Sequence, residues 1–264
     1  MTIANSTVWI IGASSGIGKA LAIDMAKLQA NLVLSSRNIN ELEKVKSDCL
    51  NYTKKCIVIP LDLEKNTNYN SEIKEVITQC NTIDYLIING GISQRSLVSE
   101  TPLSIDRKLM EINFFGNISI TKSVLPYMIK QKSGHIIVVS SIVGKFGFPL
   151  RSAYSASKHA LHGFYETLRA EQKSNNINVT MVIPGRVNTN ISKNAILKDG
   201  SNYEKLDKGQ AQGISAHSCS KQIIKAIKKN RKEVLIGGKE LTMVWIRRFF
   251  PFLFYRFAST IQPK

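Results

Sequence analysis

Short apolar runs alternate with helix-periodic segments from residue 8 to residue 237, and few folds accept that rhythm. The runs VWIIG (8–12), NLVLSSR (31–37), CIVIPLD (56–62), IDYLIING (83–90), IIVVSS (136–141), INVTMVIPG (177–185) and EVLIG (233–237) have strand length and mostly lack a polar face. A strand that is apolar on both sides needs cover on both sides, which points to a parallel sheet between two helix layers. Ile17, Ala20, Leu21, Met25 and Leu28 recur at helical spacing after the first run. Further helices are expected over 41–50, 68–80, 103–130, 153–173 and 217–230. The expected class is α/β, with helices on both faces of a doubly wound parallel sheet of about seven strands. No repeat, linker or low-complexity tract interrupts residues 1–240, so they read as one domain, followed by a tail over 241–264.

The turn between the first strand and the first helix is Gly12-Ala13-Ser14-Ser15-Gly16-Ile17-Gly18. A pyrophosphate needs backbone N–H donors close by with no side chains in the way. Glycines at a strand-to-helix turn permit that approach, and the helix N-terminus favours negative charge. The spacing is G-x-x-x-G-x-G, and no G-K-[ST] ending is present. Taken alone, the glycines fit a tight structural turn as well. The second strand ends in Ser35-Ser36-Arg37, with no acid to accept from an adenosine ribose. Ser36 and Arg37 suit a 2′-phosphate, hence NADP(H), although a solvated arginine is the plainer reading. Asp62, after the third strand, suits an adenine amine or a cap.

Ser140 and Ser141 close the fifth strand, and Tyr154 and Lys158 lie one helical turn apart at the start of the next helix. A tyrosine ionises near pH 10. An ammonium and a nicotinamide cation beside it would favour the phenolate and let it exchange a proton with a carbonyl or alcohol oxygen. A serine aimed at the same oxygen would stabilise developing charge. Tyr-x-x-x-Lys alone is a weak signal. Asn113 sits inside a helical region, where its amide competes for backbone bonds and can bend the helix.

Together and in order, these motifs resemble the short-chain dehydrogenase/reductase family in its 250-residue form, over about residues 7–240. The resemblance implies a single Rossmann-type fold and an NADP-binding catalytic domain over 1–240. It maps a catalytic tetrad onto Asn113, Ser141, Tyr154 and Lys158. Tyr154 is then the acid/base, Lys158 binds the nicotinamide ribose and lowers the tyrosine pKa, and Ser141 orients the substrate oxygen. Asn113 holds a water linking Lys158 to solvent. The cofactor set it implies is Gly12, Ser14, Ser15, Gly16, Ile17, Gly18, Ser36, Arg37, Asp62, Leu63, Asn89, Gly90, Tyr154, Lys158, Pro184, Gly185, Val187 and Thr189. Arg186 is a further phosphate or substrate contact. Two positions depart from the family pattern: Ile11 stands for the threonine before the glycine turn, and Gly90 for the alanine of the N-A-G motif. The stretch around Tyr154 looks like the hydroxysteroid dehydrogenase-like, membrane-associated branch and its bacterial relatives. That resemblance implies a preference for NADP(H) and a homodimer or homotetramer, with His159, His162 and Tyr165 as packing or interface residues.

The chain carries 36 Lys and Arg against 19 Asp and Glu, a net of +17. Eleven basic and two acidic residues fall in 221–264, and seven of the twenty aromatics lie between Trp245 and Phe257. Aromatic and basic groups that cluster in the tail, rather than interleaving through a groove, argue against nucleic-acid binding. Arg247, Arg248, Pro251 and Arg256 interrupt 241–262 too often for a spanning helix. Three uses of that segment stay open: contact with a membrane surface, with a second subunit, or with the substrate pocket. Residues 190–216 break the strand–helix rhythm and read as a substrate lid with a short helix. Four separated cysteines and the lack of a secretion-like start favour a reducing, cytoplasmic setting, and four histidines offer no metal cluster. The expected activity is NADP(H)-dependent interconversion of a carbonyl and a secondary alcohol on an apolar, steroid- or lipid-like molecule. Reduction of a 3-oxoacyl thioester and a nucleotide-sensing binding protein are the alternatives.

Overall fold

The computed structural model describes residues 2–65 and 68–258. The chain runs β1 (Thr7–Ile11), α1 (Gly16–Lys27), β2 (Asn31–Ser35), α2 (Ile39–Leu50), β3 (Cys56–Val58), α3 (Asn70–Cys80), β4 (Tyr85–Ile88), α4 (Leu103–Met110) and α5 (Gly116–Gln131). It continues with β5 (Gly134–Val139), α6 (Ser152–Glu171), β6 (Ile177–Pro184), β7 (Val187–Asn188), α7 (Lys208–Ala211), β8 (Ile214–Ser215), α8 (Ala216–Lys228), β9 (Glu233–Ile236), α9 (Thr242–Phe249) and α10 (Pro251–Ala258).

Seven strands form one parallel sheet in the order β3-β2-β1-β4-β5-β6-β9, a Rossmann-type sheet with helices on both faces. Alternation within each strand supplies both layers. On β1, Val8 and Ile10 enter the core shared with Leu21 and Met25 of α1 and Ile223 of α8. Trp9 and Ile11 enter the opposite core, with Val124 of α5 and Leu161 and Tyr165 of α6. Each fully buried side chain of this size stabilises the fold by roughly 1.5–3 kcal/mol.

The third strand is shorter than its apolar run. Its ladder to β2 ends at Val58, although Ile59 N still donates to Leu34 O and Leu61 N to Ser36 O, with Pro60 on the open edge side where no ladder donor is needed. The helical region 103–130 contains a π-helical turn over Glu111–Phe115, with Asn113 inside it. Strand order reverses between β1 and β4, which leaves a crevice above the carboxyl ends of these two strands. A third apolar cluster sits at that end, where Tyr154, Val143, Phe146 and Ile196 meet Phe254 of α10.

Candidate active site

A cleft of about 440 Å³ opens at the switch point between β1 and β4. Gly12, Ser14, Ser15, Gly16, Ile17, Ser36, Arg37, Asp62, Leu63, Asn89, Gly90 and Thr189 all line it. Gly12 and Gly16 hold φ of +83° and +54°, a left-handed backbone that favours glycine. Ser15 caps α1 without a side-chain hydrogen bond, so the first-turn N–H groups are not taken up by it. The turn is fastened from outside: Gly12 N and Ala13 N donate to Ser35 O, and Asn89 Nδ2 donates to Gly12 O at 3.0 Å.

Gly18 does not line the cleft. A methyl group there would lie 2.0 Å from Gly12 O, so this glycine lets α1 sit against the turn. At Gly90 a methyl would meet Leu63 Cδ1 at 2.5 Å, so an alanine there would need the end of the Leu63 side chain to turn aside. Arg37 is exposed at the cleft's edge beside Ser36 and Asn38, and no carboxylate stands at the end of β2. Asp62 lines the same wall while its Oδ1 accepts from Glu64 N at 3.0 Å, so it both faces the cleft and caps a turn.

A smaller cavity of about 80 Å³ adjoins the cleft, sharing Ile17, Asn89, Gly91, Thr189 and Ile191 with it. Ser141, Tyr154, Lys158, Pro184, Gly185 and Val187 line this second space. Tyr154 is buried and hydrogen-bonded to Ser141, while Ser140 Oγ turns instead to Lys158 O and His162 Nε2. Lys158 Nζ donates to Val139 O at 3.0 Å and lies 5.8 Å from the centre of the Tyr154 ring.

Burial pushes the Lys158 ammonium down to about 8. It also raises the Tyr154 phenol, against the opposing pull of Arg151, the Ser141 hydrogen bond and Arg95. Arg151 and Arg95 are thus two cations that draw the phenol down. Sequence reasoning missed both, along with Asp207, which pairs with each of them, because their partners are far away along the chain.

Asn113 lines neither cavity. Its Oδ1 accepts from Ile92 N at 2.8 Å, and its Nδ2 donates to Ile92 O and to Ser157 Oγ. The π-helical turn carries this amide toward the β4 loop. A methyl on Gly91 would sit 2.9 Å from Asn113 Oδ1 and 3.5 Å from Lys158 Nζ, so both groups face the same small space.

Residues 190–216, expected to act as a lid, are docked on the body. Ile191 lines both cavities, Gln210 of α7 lines the smaller one, and β8 pairs with β7. Glu240, also unforeseen, braces the Pro184-Gly185-Arg186 turn: its Oε1 accepts from Arg186 N at 2.7 Å. Arg186 itself is exposed. Among the described residues, His162, Glu166 and Glu233 bring ligand atoms within 4.8 Å of one another, with a single histidine among them. Lys145 Nζ already lies 2.8 Å from Glu233 Oε2, and burial holds His162 down to about 3.

The tail folds as α9 and α10. Phe254 packs on Phe146 with ring centres 5.2 Å apart. The outer side exposes Trp245, Phe249, Phe250, Phe252, Tyr255 and Phe257, each more than half accessible. Residues 259–264 of the expected tail lie outside the described residues. Among the described residues, no helix is long and apolar enough to cross a membrane.

The chain matches the short chain dehydrogenase family model over residues 6–199. It is 40% identical over 265 residues to the mouse dehydrogenase/reductase SDR family member 7B, covering 98% of this chain and 82% of that one. It is also 40% identical over 242 residues to the human dehydrogenase/reductase SDR family member 7, covering 90% of this chain and 71% of the relative. A short-chain dehydrogenase/reductase from Burkholderia phymatum, solved in complex with NAD, superposes with a TM-score of 0.84 at 20% identity, covering 100% of this chain and 98% of that structure. That likeness concerns the fold. With the sheet, the switch-point cleft and the Ser141-Tyr154-Lys158 cavity, these matches place the chain in the short-chain dehydrogenase/reductase family of dinucleotide-dependent oxidoreductases.

Proposed function

We propose that the protein is an NADP(H)-dependent oxidoreductase that interconverts a carbonyl and a secondary alcohol on an apolar, steroid- or lipid-like small molecule. The observation that carries this reading is the meeting of Ser141, Tyr154 and Lys158 in a cavity that shares walls with the glycine-lined cleft. The left-handed Gly12 and Gly16, with no bulk at the turn, fit a dinucleotide pyrophosphate. When bound, the nicotinamide supplies or accepts the hydride. The chain's own residues handle the proton. Tyr154 gives its phenolic proton to the carbonyl oxygen during reduction and takes it back from the alcohol during oxidation. Ser141, already bonded to that phenol, donates to the same substrate oxygen. Lys158, buried beneath the tyrosine ring, holds the ribose and refills the phenol's proton by way of a water beside Asn113.

The apolar cluster of Ile92, Ile142, Phe146, Phe148 and Phe254 around Tyr154 supports an apolar substrate. The tail's inner face packs on this cluster through Phe254, while the outer aromatics with Arg248 and Arg256 suit an anionic membrane surface. Arg37, exposed at the cleft edge where no acid stands, supports NADP(H) over NAD(H).

The test is a carbonyl panel followed at the NADPH absorbance band, with NADH run in parallel. NADPH is expected to give kcat/KM at least about tenfold higher than NADH, as a charge-assisted phosphate contact of roughly 1.5–3 kcal/mol requires. Arg37→Ala should remove most of that preference and leave NADH turnover unchanged. Equal use of both cofactors by the unaltered protein overturns the Arg37 assignment.

A further inference from the structure

The start of α6, which carries Tyr154, is not capped by its own sequence. Arg151 precedes the helix and makes no side-chain cap. The donors are met from the loop after β4: Gln94 Oε1 accepts from Ala153 N at 3.0 Å and from Tyr154 N at 3.3 Å. Gln94 is fully buried. Its amide orientation follows from its partners, since Nε2 faces the hydroxyls of Ser96, Thr101 and Ser152 at 3.2–3.3 Å.

The entry to α6 is also strained. Leu150 holds φ of +63°, a left-handed conformation unfavourable to a branched side chain. Such a residue persists where its surroundings over-determine it, and Ser96 N donates to Leu150 O at 3.3 Å. The same loop grips the lid. Arg95 N donates to Ile196 O, Ile196 N donates to Ser93 O, and the Arg95 side chain pairs with Asp207. Arg151 Nη2 reaches the same Asp207 carboxylate at 3.3 Å.

We propose that Gln94, Arg95 and Ser96 form a clamp that sets the place of Tyr154, with Gln94 as a positioning residue for the phenol and Arg95 joining that clamp to the docked lid through Asp207. The clamp rests on the reading of Tyr154 as the acid/base. It accounts for a buried glutamine aimed at two helix N–H groups and for a left-handed leucine beside it. It also explains why the lid's carboxylate touches the residue that opens the catalytic helix. Lid docking and tyrosine placement then share one short segment.

The test uses full-length protein. Gln94→Met keeps the side-chain length and removes the acceptor. Its kcat should fall at least about tenfold, since a misplacement near 1 Å can cost about a hundredfold. The KM for the carbonyl substrate and the Kd for NADPH should stay within about twofold, because Gln94 touches neither cavity. Amide exchange in the peptide spanning 150–158 should accelerate. Gln94→Glu keeps an oxygen for both N–H groups, and the hydroxyls of Ser96 and Ser152 can turn to donate to its second oxygen, so most of the kcat should return. If Gln94→Met does not fold, Thr101→Val removes one partner of Nε2 and should lower kcat about two- to fivefold at constant NADPH Kd. Unchanged kcat in the variant tested, or NADPH affinity lost in step with kcat, overturns the clamp. Tyr154→Phe run alongside separates the two ideas: an inactive Tyr154→Phe beside an unimpaired Gln94→Met sinks the clamp alone, and an active Tyr154→Phe sinks the role of Tyr154 itself.

Discussion

Burial biases both titrating groups at the centre of the site toward their neutral forms, raising the Tyr154 phenol and lowering the Lys158 ammonium to about 8. For Lys158 this has a consequence for stability. Its folded value lies below its unfolded value of 10.5, so between these pH values the unfolded chain holds a proton that the folded chain has released. Folding stability contributed by this group therefore rises from pH 8 to pH 10.5, and the burial penalty is complete below pH 8. Lys158→Met should exceed the unaltered protein in stability at pH 7 by up to about 3 kcal/mol, and the gap should close toward pH 10.5. Denaturant unfolding at several pH values measures it, and a gap independent of pH contradicts the assignment. A four-residue helical spacing pairs Tyr154 with Lys158 and a strand end carries Ser140 and Ser141, and the resemblance to the family singles out Ser141, Tyr154 and Lys158 in the sequence. Gln94 cannot be read this way, since its α6 partners lie 59 and 60 residues away, and neither can Asp207, 112 residues from Arg95. No local periodicity marks a contact of that range.

At the scale of elements, the glycine turn works by what it excludes. Gly18→Ala would drive a methyl into Gly12 O and part α1 from the end of β1. The expected result is a loss of about 1–3 kcal/mol together with weaker NADPH binding. Gly163 is the counter-case: it lies in the interior of α6, and a methyl there meets nothing within 4 Å. Gly163→Ala should raise stability by roughly 0.5–1 kcal/mol and leave NADPH binding alone. Thermal melts with cofactor titration distinguish the two, and equal effects at both positions contradict the close-approach argument. Element order and type follow from apolar periodicity, so they are readable in advance. The π-helical turn depends on where the Asn113 amide finds Ile92 and Ser157, which periodicity does not encode.

The whole molecule places its two apolar features back to back. Phe254 faces the cluster around Tyr154, and the opposite side of the same two short helices turns aromatics and arginines outward. Such a surface should bind vesicles containing phosphatidylserine and bind neutral vesicles less well. Replacing Phe249 and Phe252 together with serine should weaken cosedimentation about tenfold or more, since each aromatic buried contributes roughly 1.5–3 kcal/mol, and kcat should remain within about twofold. Vesicle binding unaffected by the double substitution would assign the patch to another partner. The sequence shows the aromatics and charges of this tail, but not which of them turn inward, because that depends on Phe146 more than a hundred residues earlier.

The account depends most on the Tyr154 phenol as the proton donor and acceptor beside the dinucleotide cleft. The direct measurement is turnover of an accepted carbonyl substrate by Tyr154→Phe, with NADPH affinity determined on the same preparation. Loss of that hydroxyl should lower kcat by about 10²–10⁴-fold while the NADPH Kd stays within about twofold. Turnover close to that of the unaltered protein, at saturating NADPH, would contradict it.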